Sequence, residues 1–262
     1  MKDKIDGVLF KEMVLFGSAC ISQQKQSIND LNVFPVPDGD TGTNMSLTIG
    51  NAAAELRKKN PSSVDEAAKI TASALLRGAR GNSGVILSLL FRGISRSLKG
   101  QNSMDGVSLA NALQEGVASA YSAVMKPAEG TVLTVSRLAA KRAVEAATEQ
   151  NSAEYVLDEA IKEGYAALAD TINQNPVLKK AGVVDAGGKG FLIILGGMLS
   201  CLRGEEMPET GEDEPAKVQD KADFEVFDTS EITFAFDTVY IVRKKSENVD
   251  LNPLRAYLNS IG

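Results

Sequence analysis

From Ile5 to about residue 203, apolar side chains return every three or four positions, and that period settles most of what this chain can become. Ile5, Val8, Leu9, Met13 and Phe16 form one such stripe, and Val107, Ala110, Leu113, Val117, Ala118 and Tyr121 form another. Similar spacing covers about 45–58, 65–77, 84–98, 132–148, 153–173 and 188–202, which predicts roughly eight helices. Breakers separate them at Asn60-Pro61, Gly78 to Gly84, Lys126 to Gly130, Asn175-Pro176 and Asp185 to Gly188. Aromatics make up only 5% and Trp is absent, which also favours helix over sheet. The expectation is an all-α domain over 1–203.

Past that point the pattern changes. Between 204 and 223 lie Glu205, Glu206, Glu209, Glu212, Asp213, Glu214 and Asp220, with Pro208 and Pro215 and few apolar residues, the composition of a solvated acidic linker. Ile232 to Val242 is dense in β-branched and aromatic residues and reads as a strand. Leu251-Asn252-Pro253 then opens a helix running to Gly262, with Asn252 as its N-cap. A single strand and helix cannot bury a core, so 224–262 is expected to be the β-α start of a second domain in a longer chain.

The net charge of -6 argues against a nucleic-acid face. No stretch reaches the roughly 18–20 uninterrupted apolar residues of a membrane span, and Met1-Lys2-Asp3-Lys4 does not open a signal peptide. Cys20 and Cys201 sit in apolar helical pattern and read as separate buried thiols, which suits a cytoplasmic location. No His occurs, so His-ligated zinc and His-based triads are excluded. Any chemistry falls to carboxylates, Lys, Ser/Thr, backbone amides and metal.

The most informative run is Asn32-Val33-Phe34-Pro35-Val36-Pro37-Asp38-Gly39-Asp40-Thr41-Gly42-Thr43-Asn44-Met45. Two carboxylates one residue apart repel unless a cation lies between them, and hard oxygen ligands suit Mg²⁺. A helix start with small hydroxyl residues follows at once, a setting for phosphate. Together they describe a Mg·ATP seat; an Asp-Gly turn with Thr43 or Asn44 capping a helix is the plainer alternative. In the second loop, Arg77 to Gly84, Asn82 or Ser83 is placed to cap the next helix and offer N–H groups to phosphate. The third, Gly182 to Gly190, holds Asp185 as a ribose or phosphate-water contact, with Lys179, Lys180 and Lys189 near; its spacing is not that of a Walker A loop. A fourth, Glu129-Gly130-Thr131, also opens a helix.

In these motifs the chain resembles the nucleotide-binding, DhaL-type domain of the dihydroxyacetone kinase superfamily, and more closely its fatty acid kinase A branch. The likeness runs from about residue 5 to 203 and is carried by Asn32 to Met45, Gly78 to Gly84, Glu129 to Thr131 and Val183 to Gly188. The resemblance implies an eight-helix up-and-down barrel with ATP or ADP at one rim and two Mg²⁺ ions held by three acidic side chains. Asp38 and Asp40 match two of those; Asn32 holds the approximate place of the third, with Asp30 two residues earlier. Implied nucleotide contacts are Thr41, Gly42, Thr43, Asn44, Asn82, Ser83, Thr131, Lys179, Asp185, Ala186 and Gly187.

The activity implied is Mg-dependent phosphoryl transfer to a fatty acid presented by a separate fatty-acid-binding partner protein. Homodimerisation through further domains is also implied, and acyl transfer is expected to need those domains. A dihydroxyacetone-kinase-type subunit or a non-catalytic nucleotide sensor would use the same loops. At Asp237 the relatives tend to carry a Cys, whose role is not carried over.

Overall fold

The computed structural model describes residues 4–208 and 249–261. The expected strand at 232–242, Asp237 and most of the acidic segment lie outside the described residues. The chain divides into two units, Met1–Val226 and Phe227–Gly262. In the second, α10 (Asn252–Ile261) is preceded by Asp250, whose carboxylate accepts the Asn252 N–H at 2.9 Å. The capping acceptor is therefore Asp250, and Asn252 is the first helical residue.

The first unit contains α1 (Gly7–Asn29), α2 (Thr41–Arg57), α3 (Val64–Gly78), α4 (Gly81–Ser97), α5 (Gly106–Ala123), α6 (Val132–Glu149), α7 (Ala153–Gln174), α8 (Pro176–Ala181) and α9 (Ala186–Arg203). Each long helix packs on the next in sequence, α7 packs on α9, and α9 closes the ring on α1. Short connections make neighbours antiparallel, so the eight long helices form an up-and-down barrel. Among the described residues the only β feature is the isolated Ile5–Met104 bridge.

Local chemistry explains the boundaries. Asp6, Ser63 and Asp105 cap α1, α3 and α5 by accepting the N–H three residues on. The short α8 was hidden in the sequence because Asn175-Pro176 reads as a breaker. Asn175 instead caps it through the Val177 N–H, with Pro176 at its first position. Helices α2 and α4 begin at Thr41 and Gly81, earlier than their apolar periods, because their polar first turns face the rim rather than the core.

The core is filled by Phe10, Phe91, Met13, Met45, Ile49 and Leu87, all essentially buried. Helix α9 meets the length and composition of a membrane span, but 72% of it is buried within the barrel. Its apolarity serves the core. Cys20 and Cys201 are half-buried rather than buried, and no disulfide joins them. Burial, then the charge of Glu205, raises the Cys20 thiol.

Close helix approach rests on glycine. A Cβ on Gly93 of α4 would lie 2.3 Å from the Glu115 carbonyl oxygen of α5, while one on Gly50 of α2 would meet nothing within 4 Å. Gly93→Ala should therefore lower stability by about 2 kcal/mol through overpacking. Gly50→Ala should raise it by about 0.5–1 kcal/mol through lost unfolded-state entropy. Urea melts of the two variants check both signs.

Candidate functional site

Because the barrel runs up and down, the connections α1–α2, α3–α4, α5–α6 and α7–α9 all lie at one rim. These are the four loops that carry the sequence motifs, and they bring the N-termini of α2, α4, α6 and α9 to one end. Side-chain contacts tie those starts together. A Cβ on Gly81 would sit 2.4 Å from Asn44 Nδ2, and one on Gly84 would sit 2.4 Å from Thr48 Oγ1, so α4 begins directly on α2. Thr48 Oγ1 also accepts the Arg80 N–H at 3.1 Å. Gly190 of α9 abuts Met45 of α2, and Gly187 faces Val132 at the start of α6.

The α1–α2 loop is held by two amides. Asn29, buried at the end of α1, accepts the Thr43 N–H at 3.1 Å and donates to Thr43 Oγ1 at 3.0 Å. Asn32 Oδ1 accepts the Thr41 N–H at 3.1 Å and the Thr41 hydroxyl. Asn32 Nδ2 donates to the Val36 carbonyl at 2.6 Å and to Asp38 Oδ1 at 3.2 Å. Asp30, the C-cap of α1, accepts from Gln26 at 2.9 Å. Of the two alternatives, Asn32 is thus the one joined to Asp38. The Phe34–Pro35 peptide is cis, and Gly39 adopts φ 66° between the two carboxylates.

Asp38 is exposed and Asp40 half-buried. Partial desolvation, then the charge of Asp40 and a hydrogen bond shared with it, raise the Asp38 carboxyl above its ordinary value. Asp40 occupies the N-cap of α2, yet its side chain makes no capping bond. Neither carboxylate is consumed by the helix behind it, and Thr43 and Asn44 lie inside the first turn rather than capping it.

Helix α4 stands out among the four starts. Arg80 is its N-cap and makes no side-chain capping bond, and Asn82 and Ser83 fall inside its first turn instead of capping it. At α6, Thr131 accepts the Leu133 N–H at 3.3 Å. At α9, buried Asp185 accepts the Gly188 N–H at 2.7 Å, with the Val132 N–H near enough to lower its carboxyl. Thr131, Asp185, Ala186 and Gly187 are all buried, so they shape the rim from beneath. Lys179 is exposed on α8.

Sequence reading missed three supports. Asn29 and Thr48 are polar residues at buried helical positions, a signal that three-residue spacing from Asn32 and four-residue spacing from Asn44 would have offered. The third is the strap on the α5–α6 loop, where Glu129 accepts from Thr134 at 2.7 Å, Arg137 at 2.7 Å and Tyr121 at 3.1 Å. Burial would raise the Glu129 carboxyl, but these bonds outweigh it and the net shift is downward.

Residues 35–200 match the DAK2 domain family, more than half of the chain. The chain belongs to the DAK2 domain family. This DAK2 domain is 41% identical to Protein YloV of Bacillus subtilis over 91% of its own length and 44% of that protein. It is 39% identical to an uncharacterised protein of Staphylococcus saprophyticus, over 100% of its own length and 48% of the relative. The chain thus spans about half the length of these curated relatives. The crystal structure of the dihydroxyacetone kinase of C. freundii shares the fold, with a TM-score of 0.54 and 21% identity, covering 73% of this chain and 34% of that one.

Burial raises the Asp185 carboxyl from 3.8 to about 6, despite the Gly188 and Val132 N–H bonds that lower it. The folded state therefore favours the protonated form. Stability from this group is full below the ordinary value and is lost as pH rises through about 6, at a cost of about 3 kcal/mol. Asp185→Asn keeps an acceptor for the Gly188 N–H without the buried charge. Its melting-temperature advantage over wild type should grow between about pH 4 and pH 7; a constant difference would contradict the assignment.

Proposed function

We propose that the rim formed by α2, α4, α6 and α9 binds a nucleoside triphosphate with magnesium, and that the chain is the nucleotide-binding part of a kinase. The observation that carries this reading is a pair of adjacent carboxylates, Asp38 and Asp40, at the start of α2, where the N-cap side chain of Asp40 makes no capping bond, in the same helix whose Asn44 meets the start of α4. A helix start without a side-chain cap holds amides that attract an anion. A carboxylate pair whose mutual repulsion raises a pKa gains from a divalent cation. The oxygens of Asp38 and Asp40 fit Mg²⁺, which when bound screens phosphate charge.

In this reading the first-turn amides of α4, with Asn82, Ser83 and Asn44, hold phosphate oxygens. Thr41, Gly42 and Thr43 are fixed by Asn29 and Asn32 so that α2 presents its start at a set distance. Lys179 supplies charge at the edge. The protein's part is positioning and electrostatics, and no covalent step on the enzyme is required.

For the acceptor we favour a fatty acid delivered by a separate lipid-binding protein, giving an acyl phosphate. A carboxylate is already an anion and needs no general base, which suits a chain without His. A small apolar cavity lined by Phe10, Phe91, Met104 and Leu109 lies toward the opposite rim, away from the candidate site. An acyl chain held by a separate partner is consistent with that separation. Residues 1–203 are then the kinase domain, 204–223 the acidic linker and 224–262 the opening of a second domain, in a cytoplasmic protein.

Titration calorimetry with ATP, with and without Mg²⁺, tests the reading on wild type and Asp38→Ala/Asp40→Ala. Binding that requires Mg²⁺ and weakens at least about 100-fold in the double variant, near 3 kcal/mol, is expected. Equal ATP binding by the two proteins would overturn it.

A further inference from the structure

Asn32 is the most constrained polar side chain at the rim. It is 2% exposed, and all of its hydrogen-bonding capacity is taken. Oδ1 receives the Thr41 N–H at 3.1 Å and the Thr41 hydroxyl, while Nδ2 donates to the Val36 carbonyl at 2.6 Å and to Asp38 Oδ1 at 3.2 Å. The reverse orientation would set Oδ1 against a carbonyl and a carboxylate, and Nδ2 against the Thr41 N–H. The partners therefore admit one orientation only.

That orientation has a consequence for metal. The group turned toward Asp38 is an N–H donor, and a donor cannot ligate a cation. The oxygen that could do so is turned away and saturated by Thr41. Asp38 also has one oxygen engaged by Asn32, which aims its other oxygen and leaves Asp40 as the second carboxylate of the seat. Two metal ions about 3.5–4 Å apart require anionic oxygens to bridge and balance them. A single Mg²⁺ is commonly held by one or two carboxylates together with substrate phosphates.

We propose that Asn32 is a positioning residue, not a ligand, and that it restricts the seat to a single divalent cation where the family resemblance implies a pair. This rests on the nucleotide-binding reading above. With an acid at this position the amide donor is replaced by an anionic oxygen facing Asp38, the charge pattern that calls for a second cation.

Electron paramagnetic resonance of Mn²⁺ bound with ATP tests this, using the full 262-residue chain. Wild type should bind a single ion per nucleotide, with the sharp hyperfine lines of an isolated Mn²⁺. Asn32→Asp should bind a second ion and show the broadened spectrum of an exchange-coupled pair. A coupled pair in wild type would overturn the proposal while leaving nucleotide binding standing. Failure of wild type to retain Mn²⁺ and ATP at all would overturn both readings. If Asn32→Asp does not fold, the wild-type stoichiometry and line shape decide the matter alone.

Discussion

Four helices begin at the same rim of this barrel, and each brings backbone N–H groups with no partner inside its own helix. What satisfies those amides determines the rest of the site. At α2 the amides of Asn29 and Asn32 reach across from the end of α1; at α9 the buried carboxylate of Asp185 takes the Gly188 N–H, and at α6 Thr131 takes the Leu133 N–H. At α4 the N-cap residue, Arg80, makes no capping bond. The opposite rim is finished differently. There Ile5 pairs with Met104, and Val64 and Asp65 donate to Asn102 and Gln101, backbone to backbone. The opposite rim thus adds backbone pairing to the side-chain caps of Asp6, Ser63 and Asp105, whereas the motif rim relies on side chains.

The division links packing to chemistry. Glycines at 42, 84, 187, 188 and 190 allow helix starts to close on neighbouring helices or on Thr48 and Met45. That closeness places Asn44 beside the first turn of α4. The same compactness removes water from Asp185, whose carboxyl is pushed up to about 6. Burial at Asp185, and partial burial together with the charge of Asp40 at Asp38, are both electrostatic costs, and they differ in remedy. Asp185 is relieved by a proton, whereas Asp38, exposed beside half-buried Asp40, is open to a cation from solvent.

Much of the barrel was legible in the sequence because a three-to-four apolar period reports directly on a core-facing stripe. Helices α3, α5, α6 and α7 fall within a few residues of their periods for that reason. The period failed where side chains serve the rim instead of the core. The first turns of α2 and α4, with Thr41 to Asn44 and Gly81 to Ser83, carry no apolar stripe and were read as loop. The short α8 was concealed by Asn175-Pro176, since the same pair ends one helix and starts another. At the site, Asp38 and Asp40 were visible through their spacing. The roles of Asp185 and Thr131 as caps were not, because Gly-rich loops leave open whether a polar side chain turns outward to a ligand or inward to an amide. The orientation of Asn32 could only come from its partners in space.

Amide hydrogen exchange across the four helix starts, with and without Mg·ATP, separates a nucleotide seat at this rim from a purely structural one. New protection is expected in the first turn of α4, at Gly81 to Ser83, dependent on Mg²⁺ and accompanied by smaller changes at Gly42 to Asn44. The starts of α6 and α9, where Thr131 takes the Leu133 N–H and Asp185 the Gly188 N–H, should change less. Protection confined to the opposite rim, or none at the start of α4 under saturating Mg·ATP, would contradict the nucleotide seat.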